Sequence, residues 1–188
     1  IPMERTKRFL SQRNIFRNSD MTTFITVGNG EKSFSRLFIN LEKFFELMPQ
    51  PIIAQCGNTE FKSPKVKTFK FMELGKFKEY ISKSKLIICH AGMGTMMQAI
   101  QSNKIPVCVP RLAKHDEIIN DHQVDIAKAL GKQKKIIYVR NFSRIGFYIK
   151  KSQEMQEMYP KNFVNKQKFF MEFEKILDRL NEDIFKKN

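Results

Sequence analysis

From Thr22 onward the apolar residues follow two alternating rhythms. Short, nearly continuous apolar runs at Thr22–Val27, Ile52–Cys56, Val66–Phe71, Lys85–Cys89, Pro106–Val109 and Ile136–Val139 predict strands. Between them, apolar residues recur three and four apart and predict helices. In 34–48 the residues Phe34, Leu37, Phe38, Leu41, Phe44, Phe45 and Met48 share one face, and Pro49 and Pro51 stop the helix. Further helices are expected over Leu74–Ser82, Thr95–Ser102 and Ile118–Leu130, the last with Gly131 as its stop. Strands alternating with helices imply βαβ crossovers and a parallel sheet covered on both faces. The expected fold class is therefore α/β, a Rossmann-like parallel sheet with flanking helices. The domain is expected to span 21–140, after a basic N-terminal extension (1–20) that lacks periodicity. A helical C-terminal extension (141–188) follows. Its amphipathic stretch KFFMEFEKILDRLNEDIFKK reads as a helix packed back on the domain, with a partner-docking or membrane-surface helix as the alternative.

Composition changes this picture in a few places. At 188 residues, 41% of them hydrophobic, the chain suits one domain with a full core. No apolar run is long enough to span a bilayer, and no secretory signal pattern stands at the N-terminus. The formal net charge of +15 invites a nucleic-acid reading. The lysines, however, are spread along the whole chain with no dense arginine stripe, zinc-finger spacing or RNP motif, so no nucleic-acid partner is expected. A solvated basic surface is the plain alternative, and one drawn to anionic lipid or an acidic partner the other. Cys56, Cys89 and Cys108 all lie in strand-like runs, without metal spacing, and read as reduced, buried thiols. No Asp, Glu and His cluster has ligand spacing, so no metal is expected.

Candidate chemistry concentrates in two glycine loops. Gly28-Asn29-Gly30-Glu31-Lys32-Ser33 joins the first strand to the first helix, and Gly92-Met93-Gly94-Thr95 follows the strand ending LIICH. In a parallel sheet such loops lie at the carboxyl ends of strands, where ligands bind, and the helices they open offer free N–H groups and a positive dipole end. Neither loop completes a Gly-x-Gly-x-x-Gly dinucleotide fingerprint: Ser33 and Met97 hold the last place, and no persuasive acid ends the next strand. No P-loop run exists. Two loops in one domain still suit a diphosphate. Around the second loop stand His90, Gln98 one helical turn past Thr95, and Asp121-His122-Gln123. Long neutral hydrogen-bonding side chains of this kind suit a hydroxyl-rich ligand. The run Leu112–Glu117 reads as a surface loop, and Arg111 and Lys114 as cations near the crevice.

The runs TVGNGEKSFSRL, IIAQCGNTEFK, CHAGMGTMMQAI, PVCVPR and NDHQVDIAKAL occur in an order that resembles the C-terminal, donor-binding half of family 28 glycosyltransferases. The match covers roughly 21–139. Within the family the chain is most similar to the small catalytic subunits of two-part enzymes. These include bacterial exopolysaccharide and capsule glycosyltransferases, and the eukaryotic pair that adds the second GlcNAc to dolichol-linked GlcNAc. The resemblance implies a single GT-B half-domain that binds a UDP-sugar as donor substrate, with no separate cofactor. It implies that Gly28, Asn29 and Gly30 lie by the diphosphate, with Gly92, Met93, Gly94 and Thr95 at the helix start. Phe71 and Met72 would border the uracil, and His122 and Gln123 would contact sugar hydroxyls. His90 would touch the donor phosphate, which makes His90, Gly94 and Thr95 the candidate catalytic residues. Gln98 departs from the family pattern, standing where relatives carry an acid that holds both ribose hydroxyls.

Inversion at the anomeric carbon in one displacement, without a bound metal, is what the family implies. A GT-B cleft needs two halves, so a membrane-anchored partner subunit is expected to supply the other. The acceptor would then be a polyprenol-diphosphate-linked sugar, met at the inner face of the membrane by an otherwise cytoplasmic chain. The residues alone leave open a non-catalytic nucleotide-sugar-binding or scaffold module of the same fold.

Overall fold

The computed structural model describes residues 22–158, together with 171, 173–176 and 178. The expected N-terminal extension and most of the C-terminal stretch beyond 158 lie outside the described residues. Six strands form one sheet: β1 (Thr23–Thr26), β2 (Ile52–Gln55), β3 (Val66–Phe69), β4 (Leu86–His90), β5 (Val107–Val109) and β6 (Ile137–Tyr138). Their order is β3-β2-β1-β4-β5-β6 and every pairing is parallel. Helices α1 (Ser35–Leu41), α2 (Leu74–Lys83), α3 (Met93–Gln101), α4 (His122–Lys132) and α5 (Ile145–Met158) cover both faces.

The apolar runs are continuous because each strand is covered twice. Ile25, Val27, Ile52, Ala54 and Ile88 point into one core layer, where α1 brings Leu37 and Phe38 and α5 brings Ile145, Ile149 and Met155. Phe24, Ile53, Ile87 and Cys89 point into the other, with Tyr80 and Ile81 of α2, Met96 and Ile100 of α3, and Leu130 of α4. The period-2 alternation of side chains splits one apolar run between two cores. Burying each such side chain stabilises the fold by about 1.5–3 kcal/mol. Helix α5 is also fixed by polar bonds: Ser152 Oγ donates to the Ile105 carbonyl (2.6 Å), and Gln156 Oε1 accepts from the Ile105 amide (2.9 Å).

Two expected helices differ in detail. The long first helix is α-helical only to Leu41 and continues as a 3-10 segment over Glu42–Leu47. Met48, which precedes Pro49, is extended at ψ 149, as a residue before proline favours, and the last turns tighten ahead of it. Helix α4 starts at His122, not Ile118, because residues 116–121 are held as a loop. Asp116 takes a left-handed φ of 54°, and the Asp121 carboxylate accepts from the Ala113 amide at 2.8 Å. Gly131 lies inside α4 rather than ending it: a Cβ there would stand 3.0 Å from Tyr138 Cβ, so glycine lets the helix close onto β6. The left-handed residue past the helix is Lys134, at φ 58°.

Candidate functional site

The strand order reverses direction between β1 and β4, which leave their carboxyl ends side by side. A crevice is expected at such a switch point, and a cavity of about 620 Å³ occupies it. Both glycine loops reach it. Gly28 and Asn29 line one side; Gly92, Met93, Gly94, Thr95 and Gln98 line another, with Met72, Leu74 and Phe77 forming an apolar wall.

Between the loops sits His90, the last residue of β4. Its ring leaves no room for side chains on either side. A Cβ at Gly28 would lie 2.4 Å from Cε1, and one at Gly92 would lie 1.9 Å from Nε2. Gly28 also holds φ +72°, a conformation that costs other residues about 1–2 kcal/mol. Burial, and then the positive charge of Arg111, push the His90 pKa down to about 4, with the Thr26 backbone pulling weakly the other way. His90 is therefore neutral at physiological pH. Its Nδ1 is buried without a well-formed hydrogen bond.

A second polar group is left open beside it. Gln55, at the end of β2, is only 2% exposed. Its Nε2 donates to Asn29 Oδ1 at 2.8 Å, which fixes the Asn29 amide at the cavity edge. Its Oε1 has no partner. Buried polar atoms are normally satisfied, so the orphaned Gln55 oxygen, on a residue that lines the cavity, suits a polar ligand. Helix α3 adds a third feature. Gly92 is its N-cap, no side chain caps it, and the Met96 amide is the first to bond back, to the Gly92 carbonyl at 3.1 Å. The amides of Met93, Gly94 and Thr95 thus precede the first intrahelical bond and carry the positive end of the helix dipole to the cavity. That combination suits an anionic group such as a phosphate.

Arg111 is placed differently from its expectation as a free cation near the ligand. It is 3% exposed. Its guanidinium donates to the carbonyls of Val27 (3.0 Å), Lys32 (2.8 Å), Ser33 (3.2 Å) and Glu117 (3.1 Å) and stacks on Phe34. All of this ties the first glycine loop to the end of β5. The expected surface loop likewise contains a buried acid: Glu117 pairs with Arg36 through two 2.7 Å contacts and accepts from the Leu112 amide. Lys114 is exposed and away from the cavity wall.

Of the other expected site residues, Gly30, Phe71, His122 and Gln123 do not line the cavity. The first loop contributes Gly28 and Asn29 only, and α1 does not open onto the crevice: the Phe34 amide at its start is taken by Thr59 Oγ1 at 2.8 Å. Phe71 is 46% exposed, next to Met72 on the apolar wall. His122 is exposed, and Gln123 Oε1 accepts from the Arg111 amide at 3.1 Å, which turns it away. Sequence reading missed Gln55, Leu74 and Phe77. Gln55 had one signal, a lone amide at the end of a strand whose other residues are apolar. Cys56, Cys89 and Cys108 are free and buried, and burial raises the Cys56 thiol to about 11. Among the described residues no group of three or more His, Cys, Asp or Glu stands together.

The family model for the glycosyltransferase family 28 C-terminal domain matches residues 22–180. The chain belongs to that family. A comparison with curated proteins gives no match. Among solved structures, the crystal structure of the glycotransferase of kitacinnamycin is similar, with 13% identity and a TM-score of 0.56 over 73% of this chain. The chain spans 36% of that structure. The solution structure of ALG13 is similar at 16% identity and a TM-score of 0.55, covering 82% of this chain and 94% of that one. Both likenesses concern the fold: a six-stranded, all-parallel Rossmann-like half-domain. In this family 28 domain the cavity at the β1/β4 switch point is lined by twelve residues, none of them from α4.

Proposed function

We propose that this family 28 domain is the donor-binding, catalytic subunit of a two-component inverting glycosyltransferase. It moves a hexose from a UDP-sugar to a polyprenol-diphosphate-linked sugar in the biosynthesis of a polysaccharide, of the bacterial exopolysaccharide or capsule kind. The observation that carries the reading is the cavity itself: an uncapped helix N-terminus, a neutral, half-buried histidine and a glutamine with an orphaned amide oxygen all line one space. In this reading the diphosphate sits against the amides of Met93, Gly94 and Thr95 and the loop at Gly28 and Asn29. The uracil rests on the apolar wall at Met72, with Phe71 at its rim, and Gln98 takes the ribose.

As the bond from the anomeric carbon to the diphosphate breaks, negative charge grows on the leaving UDP. Backbone N–H groups fixed in place stabilise that charge without reorganising, as oxyanion-type donors do. His90 contributes as a neutral hydrogen-bonding group at the phosphate, since protonation there is suppressed. The acceptor hydroxyl loses its proton to a base assigned to the other half of the cleft. That half belongs to a membrane-anchored, acceptor-binding partner subunit, which holds the pair at the inner face of the membrane. Among the described residues no helix is long and apolar enough to cross a membrane. No resident cofactor is invoked.

Calorimetric titration of the chain with UDP, with ADP, GDP and CDP as controls, tests this. Selective UDP binding, weakened by Gly94→Val and Thr95→Ala, is the expected result. Preference for ADP, or no binding to any of the four by the chain with its partner, would refute it. Gln98→Glu should hold or raise UDP affinity. Donor binding without transfer in the assembled pair would instead favour a non-catalytic nucleotide-sugar-binding module.

A further inference from the structure

The sheet ends at β6, and a second cavity of about 450 Å³ opens along that edge between α4 and α5, away from the β1/β4 crevice. All its charged lining residues are cations: Lys128, Lys132, Lys134, Arg140 and Lys151. Lys128 pairs at 3.5 Å with the exposed Asp125, while the other four make no ion pair among the described residues. Beneath these heads the cleft is apolar. Tyr138 of β6 with Tyr148 and Met155 of α5 form its floor, and Met158 stands 75% exposed at the rim. Among the described residues these four cations have no counter-charge in the cleft and Met158 has no cover.

We infer that this edge cleft docks directly on an anionic lipid surface, so that the chain itself touches the membrane. Charge complementarity selects the occupant. A bilayer of anionic phospholipid offers phosphates to the lysine and arginine heads at the mouth of the cleft, and the exposed rim residue Met158 is the apolar side chain available to the acyl layer beyond them. Long lysine stems and amphipathic tyrosine rings both suit such an interface. The net charge of +15 adds a long-range attraction to the same surface. An acidic peptide would satisfy the cations alone and leave the exposed Met158 uncovered. The inference stands on the cleft and does not need the donor-site reading.

The test is sedimentation of the full chain with vesicles. It should bind mixed phosphatidylcholine–phosphatidylglycerol vesicles and leave pure phosphatidylcholine in solution. Each cation near such a surface weighs about fivefold in partitioning. Reversing two, in Lys132→Glu/Lys151→Glu, should weaken binding at least about twentyfold. Reversing the exposed and remote Lys62 and Lys78 to Glu should change it less than about threefold. The chain has no tryptophan, so Met158→Trp is a clean reporter. Its emission should shift blue on anionic vesicles and be quenched by brominated lipid, while Leu47→Trp, at a site 73% exposed, should not respond. Equal loss in both charge-reversed pairs, or a Met158→Trp emission that ignores vesicles, overturns the inference; tight polyglutamate binding at the cleft without vesicle binding assigns it to an acidic protein. UDP affinity should be unchanged in Lys132→Glu/Lys151→Glu, which separates a failure here from a failure of the donor site.

Discussion

His90 makes the stability of this domain depend on pH in a calculable way. Its folded-state pKa is about 4, against 6.5 for an ordinary histidine. Between these values the unfolded chain binds a proton that the folded chain refuses, so stability is complete above about pH 6.5 and is lost as pH falls toward 4. At 1.36 kcal/mol for each unit of difference, the full term is about 3 kcal/mol, of which about 2 kcal/mol is gone at pH 5.0. That pH lies above the range where most carboxylates titrate, which keeps other contributions small. Urea unfolding followed by circular dichroism at pH 7.5 and 5.0 measures the term, and His90→Asn supplies the reference. The unsubstituted chain should lose about 2 kcal/mol more than the variant between the two conditions. An equal loss in both would refute the reasoning, because it would mean that the imidazole between Gly28 and Gly92 protonates as easily folded as unfolded.

Two further outcomes follow from the geometry. Gly92→Ala forces a methyl to within 1.9 Å of His90 Nε2, whereas a Cβ at Gly94 meets nothing within 4 Å; thermal melts should show Gly92→Ala destabilised by about 1–3 kcal/mol and Gly94→Ala unchanged or slightly stabilised. Arg111→Leu removes a donor from the carbonyls of Val27, Lys32, Ser33 and Glu117. Urea unfolding should show a loss of about 3 kcal/mol, and Arg111→Lys, which lacks the planar fork, should recover only part of it.

The sheet was legible because strands buried on both faces are written as unbroken apolar runs, and all six predicted strands exist within a residue or two of their observed bounds. The second glycine loop was legible for a similar reason: a strand, a Gly-x-Gly turn and a helix are all local in sequence. What could not be read depends on contacts between distant residues. The start of α4 moved because Glu117 bonds Arg36, 81 residues away, and so holds a loop where periodicity suggested a helix. Arg111 looked like a free cation because nothing local shows that Val27 and Lys32 aim their carbonyls at it. Gln123 was expected at the ligand, but its amide oxygen is spent on the Arg111 backbone. Gln55 matters only because β2 lies beside β1, which brings it to Asn29.

The clamp made by Arg111 also bears on how the chain is born. Its guanidinium reaches back 84 residues to Val27, and β1 lies between β2 and β4, the latter made only at Leu86–His90. A nascent chain that has released β1, β2 and β3 from the ribosome therefore carries a half-sheet with one bare inner edge and a first glycine loop without its fastening. Unpaired edges of apolar strands are templates for aggregation. The cavity lining ends at Gln98, but the Arg111 clamp on the first loop is complete only after residue 117 has emerged, so translation pausing before that point leaves the loop unfastened, and any partner able to shield the β1 edge during synthesis would raise the yield of folded protein.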